Sequence, residues 1–456
     1  MLQNEGMNRR RFLKNAAMTA LVGAAGGGTS LAIAADGEKN ESEDVKYDFD
    51  EVYDRVGTDC IKWDAQIEKY GKENIEVPMG IADMDFRVAP AITKALMARV
   101  QHENWGYLDM PPAYVESIIR WNKRHHDIDI NPDLLLHSDG VHPALLSSLK
   151  AFCPPGSKVI VQAPTYSGFF TDIRIIGCQE VENHHKLVDG RYVMDFEDLE
   201  RCIDHDTHAL MLCNPQNPTG NVWSREDLMT LGEICTRRRV VVLSDEVHCD
   251  FIAKGNTFTA FSSLDNEEIV RNSITFTSTS KAFSLAAMKV AYMFSTNADY
   301  IDKVKATGHR QSLNTLGVVA AQTAFDECED WLNQVVTYID GTMDYVESFI
   351  GSSMPLVKFV KPQGTYVAWL DVSEVVERIG AKETAAEENK NQDPASRPVT
   401  PEIIVQRFFV EKAKVHLNPG SSYGYGGAGR MRMNLATSRK LVELALNNMA
   451  SALQKI

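Results

Sequence analysis

The feature that most constrains this chain is a succession of short, unbroken apolar runs: Lys158-Val159-Ile160-Val161, His208-Ala209-Leu210-Met211-Leu212, Val240-Val241-Val242-Leu243, Ser273-Ile274-Thr275-Phe276 and Val290-Ala291-Tyr292-Met293-Phe294. A strand with one wet face alternates apolar and polar residues, so continuous runs belong to strands covered on both faces. Helix-like sequence separates them, as at residues 224–238. The pattern predicts an α/β core with a sheet sandwiched between helices.

After about Gly317 the pattern turns helical through residue 351, then strand-like at Lys358-Phe359-Val360 and Tyr366-Val367-Ala368-Trp369-Leu370. This predicts a second, smaller α+β domain. Residues 377–398 end in a polar, charged run that offers no apolar face, and they are expected to form a surface insertion. The expected organisation is a leader over 1–35, a linker over 36–46, an N-terminal segment over 47–85 that packs with the small domain, a large domain over 86–335 and a small one over 336–456.

The leader is read from Asn8-Arg9-Arg10-Arg11-Phe12-Leu13-Lys14, followed by an apolar stretch rich in Ala and Gly that ends in Ala32-Ile33-Ala34. Basic residues, a short apolar run and a small-residue cleavage pattern describe an export signal, and this one resembles a twin-arginine signal peptide. The run is short for a bilayer and carries four glycines, so no stable membrane insertion is expected. The resemblance implies recognition by the twin-arginine export machinery and a periplasmic destination.

The formal charge is -15, and removing the leader makes it more negative because four basic residues leave with one acidic one. Phosphate backbones are repelled by such a surface, which argues against nucleic acid as a partner. Eight cysteines are scattered without a CxxC pair, and several sit in apolar runs as small buried thiols. His125-His126, His184-His185 and the His205/His208 group have no convergent acidic cluster, so no metal is expected and these side chains are read as solvated.

Four loops carry the chemistry. In open α/β sheets ligands sit beyond the carboxyl ends of strands. Asp139-Gly140-Val141-His142-Pro143 opens a helix whose free N–H groups can cradle phosphate. Asn214-Pro215-Gln216-Asn217-Pro218-Thr219-Gly220 follows a buried strand and offers Asn217 as a donor. Asp245 closes Val240–Leu243 and, so deep, needs a cationic or hydrogen-bonding partner. Ser278-Thr279-Ser280-Lys281 follows another strand, with Lys289 eight residues on, and an enclosed lysine can serve as nucleophile and base.

With Asn217, Asp245 and Lys281 in this order, the chain resembles the fold-type I pyridoxal-phosphate (PLP) enzymes of the class I/II aminotransferase group. More narrowly, Lys62-Trp63-Asp64, Ile81-Ala82-Asp83-Met84-Asp85-Phe86, Trp105-Gly106-Tyr107, Ala413–Gly420 and Met431-Arg432-Met433-Asn434-Leu435-Ala436 resemble the cystathionine β-lyase branch often called MalY/PatB. The resemblance implies PLP held as a Schiff base on Lys281, Asp245 on the ring nitrogen and Asn217 on the 3-oxygen. His248 stands where many relatives have tyrosine. Tyr166 matches the aromatic stacked on the ring. The Val141 and His142 amides, Ser278, Ser280 and Lys289 match the phosphate cradle, with Lys289 replacing the more usual arginine. Tyr107 is implied to reach across from a second subunit of a homodimer, and Arg432 to clamp the carboxylate of an amino-acid substrate.

Loss of the Cα proton to Lys281 is common to several reactions. The narrower resemblance implies β-elimination of a thiol from L-cystathionine, L-cysteine or a related S-conjugate. A class I/II aminotransferase and a PLP-binding regulator with little turnover are the alternatives.

Overall fold

The computed structural model describes residues 45–393 and 396–456. The leader, and the linker apart from Val45 and Lys46, lie outside the described residues.

Each of the five apolar runs becomes a strand of one seven-stranded sheet. Its strands are β1 (Leu135–Ser138), β2 (Lys158–Ala163), β3 (Gln179–His184), β4 (Thr207–Cys213), β5 (Val241–Asp245), β6 (Ser273–Thr277) and β7 (Ala291–Phe294), in spatial order β1-β7-β6-β5-β4-β2-β3. Strands β2 to β6 pair in parallel, and β7 runs antiparallel between β6 and β1. Alternate side chains enter two separate apolar clusters, Val159, Met211 and Leu243 on one side and Ile160, Leu212 and Val242 on the other. Both faces are therefore covered, the condition that continuous apolar runs demand. Helix Arg225–Arg238 begins at Ser224, which accepts from Asp227 N while the Asp227 carboxylate accepts from Ser224 N, a reciprocal cap.

A second sheet joins β8 (Val367–Asp371), β9 (Asn418–Pro419) and β10 (Arg430–Asn434) in order β8-β10-β9, antiparallel throughout. Val77–Pro78 pairs in parallel with Val415–His416, which lays the N-terminal segment against the C-terminal region. Helix Glu329–Ser353 runs unbroken across the expected 335/336 boundary. One apolar cluster takes in Phe283 and Tyr292 beside the first sheet together with Val367 and Met431 of the second, so Tyr47–Ile456 is a single contact unit. Among the described residues no helix is long and apolar enough to cross a membrane.

Two expectations are corrected. Lys358-Phe359-Val360 is no strand: it makes one bridge, Lys358 to Asp371, and Pro362 soon removes a ladder donor. The polar stretch 377–398 does supply a core face, because helix Ala381–Lys390 buries Ala381 and Ala385 in the main cluster. Two small residues four apart lie on one helix face, so a charged composition conceals a narrow apolar stripe.

Candidate active site

The ends of β4, β5 and β6 and the start of helix Val141–Phe152 open into one cavity of about 510 Å³. Every residue expected at the site lines it except Tyr107, which is fully exposed.

Asp245 is the last residue of β5, and burial pushes its carboxyl up to about 6, against the opposing effects of the Val247 amide, His142 and Lys281. Val247 N donates to Asp245 Oδ1 at 3.2 Å. Such a carboxyl fits a cationic N–H donor delivered by a ligand, because a nearby positive charge restores its ionised form.

Lys281 lies in the short helix Thr279–Ala282, started by Ser278, whose Oγ accepts from Ser280 N at 3.0 Å. Ser278 Oγ donates in turn to Val290 O at 2.6 Å. The Lys281 Nζ donates to Ala82 O at 2.8 Å. Burial first, and the charge of Arg432 second, pull its pKa down to about 8. Its neutral amine, the nucleophilic and basic form, is thus accessible near neutrality. Lys289, in a left-handed conformation at φ 53°, faces the same cavity and is exposed.

Arg432 owes its place to the alternation of β10. Met431 and Met433 are fully buried in the apolar cluster, so Arg432 and Asn434 share the opposite face. Arg432 donates from Nη1 to Asn217 Oδ1 at 3.1 Å and from Nη2 to Gly80 O at 2.7 Å. The ring of Tyr423 lies under its guanidinium, 5.2 Å from the centroid. Arg432 Nε is buried without a partner, as is Nδ1 of His248, whose ring meets Tyr366 edge-on and whose pKa burial pushes far down. Buried donors normally find acceptors. Helix Val141–Phe152 begins at Gly140 with no side-chain cap, leaving its first N–H groups for an anion. An anion cradle, a carboxyl seeking a cation and an enclosed lysine fit a phosphorylated pyridine aldehyde.

Several functional residues escaped the sequence reading. Arg55 reaches Asp83 at 2.8 Å and Asp85 at 3.1 Å, and Lys62 reaches Asp85 at 2.6 Å, fixing the segment that carries Ala82. Asn434 Nδ2 donates to Ile81 O and Asp83 O at 2.6 and 2.7 Å, and Tyr366 OH to Ala82 O at 3.0 Å. The alternation in Met431–Asn434 was the available signal for Asn434. The histidines expected in solvent are also corrected. His185 is buried, and His126 sits with Nε2 3.9 Å from Asp250 Oδ1, because apolar neighbours such as Trp223 and Phe258 cover their rings.

The aminotransferase class I and II family matches residues 74–448, and the chain belongs to it: a PLP-dependent enzyme with the fold-type I transferase fold. It is 34% identical to "Cystathionine beta-lyase PatB" of Bacillus subtilis over 89% of this chain and 99% of that one. It is 26% identical to "Protein MalY" of Escherichia coli over 90% of this chain and 100% of the relative. Among solved structures, cystalysin from Treponema denticola, which contains a pyridoxal 5'-phosphate cofactor, superposes with a TM-score of 0.81 at 28% identity, covering 90% of this chain and 100% of that one.

Proposed function

We infer that the protein is a PLP-dependent carbon–sulfur β-lyase of the cystathionine β-lyase type. It acts on L-cystathionine, L-cysteine or a related S-conjugate and yields pyruvate, ammonia and a thiol. The observation that carries this reading is the convergence of Lys281, Asp245, Asn217 and Arg432 on one cavity, in a chain alignable nearly end to end with a cystathionine β-lyase.

When bound, PLP supplies an electron sink for the bond broken at the substrate Cα. The rest is done by this chain. Arg432 offers a planar fork and a free Nε to the α-carboxylate, fixing the substrate beside Lys281. Asp245 holds the proton of the ring nitrogen through its own negative charge. Asn217, already oriented by Arg432, keeps its amide N–H for the 3-oxygen. The Lys281 Nζ takes the Cα proton. The Cβ–S bond then breaks with its electron pair on sulfur, which takes up a proton and leaves as the thiol, and one water converts the remaining three-carbon fragment to pyruvate and ammonium.

The holoenzyme incubated with L-cystathionine or L-cysteine and no 2-oxo acid is expected to release pyruvate and thiol together. Turnover only after a 2-oxo acid is added refutes the lyase reading in favour of an aminotransferase. We further propose a homodimer in which Tyr107 serves the neighbouring subunit's site. Tyr107 is fully exposed beside exposed Trp105, Met97 and Val100, which supports this. Export to the periplasm through the segment around Arg9 and Arg10 belongs to the same proposal.

A further inference from the structure

Asp172, His142 and Tyr166 form a hydrogen-bonded line at the cavity wall. The His142 Nδ1 lies 2.7 Å from Asp172 Oδ2, and its Nε2 lies 3.1 Å from Tyr166 OH. Asp172 is buried, the imidazole is 44% exposed, and Tyr166 lines the cavity with Lys281 and Arg432. The line therefore runs from solvent to the place where the leaving group departs. Glycine at 168 makes the arrangement possible: a Cβ there would stand 2.4 Å from His142 Cε1 and 2.5 Å from Tyr166 Cε1.

We propose that Asp172, His142 and Tyr166 form a proton relay that delivers a proton to the departing thiolate, with His142 the positioning residue that recharges Tyr166. The proposal rests on the lyase reading above. Tyr166 OH gives its proton to the sulfur, forming S–H and a phenolate. The His142 imidazolium returns a proton from Nε2 to the phenolate oxygen, and the neutral ring is recharged at its exposed edge by solvent. Each step moves one proton and no electrons. The charged groups acting on His142 are Asp172, Asp245 and Lys281; the Asp172 hydrogen bond dominates and raises the imidazole, so the donor form is favoured. Burial pushes the Tyr166 hydroxyl up to about 12, which makes fast return of its proton necessary.

The test compares two substrates of the holoenzyme: an S-alkyl-L-cysteine, whose thiolate needs a proton, and β-chloro-L-alanine, whose chloride does not. His142→Asn keeps a donor for Asp172 but cannot shuttle a proton. It is expected to change the ratio of kcat values on the two substrates about 100-fold against the thiol, the order a positioned proton donor contributes. Gly168→Ala, which wedges the pair apart, is expected to shift the ratio the same way. Asp172→Asn is expected to move the pH at which thiol elimination falls to lower values while leaving the chloride profile in place. Equal losses on both substrates in all three variants, or an unchanged ratio, overturn the relay. Absence of pyruvate from both substrates with the unaltered enzyme overturns the lyase reading itself, and the relay with it.

Discussion

Replacing Lys62 by methionine isolates how the N-terminal segment is fastened over the cofactor lysine. Lys62 is 1% exposed, and its Nζ donates to Asp85 Oδ2 at 2.6 Å and Asp83 O at 2.9 Å. Removing one partner of a buried ion pair costs roughly 3–5 kcal/mol, because the other charge stays buried without compensation. Arg55 Nη1 at 3.1 Å and Trp63 Nε1 at 3.0 Å still reach Asp85 Oδ1, so the lower end, about 3 kcal/mol, applies. Methionine fills the volume of the lysine stem and leaves little cavity. At roughly 2.1 cal/mol/K per residue, the unfolding entropy of a unit this long is about 0.9 kcal/mol/K, so Tm falls by about 3–4 °C. The assay is a thermal scan of the PLP-loaded protein at fixed cofactor concentration and scan rate, alongside KM. The paired variant Lys62→Met with Asp85→Leu removes both charges and is expected to recover most of the loss, since Arg55 keeps Asp83 at 2.8 Å. A single-variant shift below about 1 °C, or a double variant that simply adds two losses, refutes the reasoning.

Lys281→Ala is expected to abolish the absorption of lysine-bound PLP and the release of pyruvate while the far-ultraviolet circular dichroism is kept; an unchanged spectrum refutes the assignment. Arg432→Lys retains the charge but loses the fork, and KM is expected to rise about 10- to 100-fold, equivalent to a charge-assisted hydrogen bond of roughly 1.5–3 kcal/mol. Asp245 is raised to about 6 from an ordinary carboxylate value near 3.8, so the cofactor-free fold binds more protons than the unfolded chain between these values. Its contribution to apo stability therefore falls as pH rises from about 4 to about 6. Asp245→Asn is expected to remove that component in denaturant titrations across this range. Replacing Arg9 and Arg10 by lysine is expected to hold the precursor in the cytoplasm, as fractionation checks.

The parallel sheet was legible because each of its core strands is apolar at consecutive positions, and no other arrangement buries Val240 to Leu243 on both sides. Asp245 and Lys281 were legible for a related reason: polar groups that directly follow such strands must emerge at the sheet's ligand edge. Helix Ala381–Lys390 was not legible, because two alanines carry its whole buried face among charged neighbours. The ties from Arg55 and Lys62 to Asp83 and Asp85 were hidden for another reason. Pairings between residues more than twenty apart leave no periodicity, and an acidic pair in a loop has the composition of a solvated surface. The Asp172–His142–Tyr166 line joins a helix start, a loop end and a helix interior, and only the folded chain brings them together.

The geometry also explains how one lysine can bind a cofactor and later act as a base. In the free site the charge of Arg432 helps hold the Lys281 amine down near about 8, while Asp83 and Asp245 pull the other way. A substrate carboxylate seated on Arg432 cancels much of that positive charge at short range. The downward pull on Lys281 then weakens as the Cα proton is brought within reach, and the lysine gains basicity when it is needed. Ala82 O, which accepts from Lys281 Nζ, keeps the amine aimed throughout, and it is itself held by Tyr366 OH. The N-terminal segment is thus part of the acid–base apparatus, because the carbonyl it carries decides where the lysine points before substrate arrives.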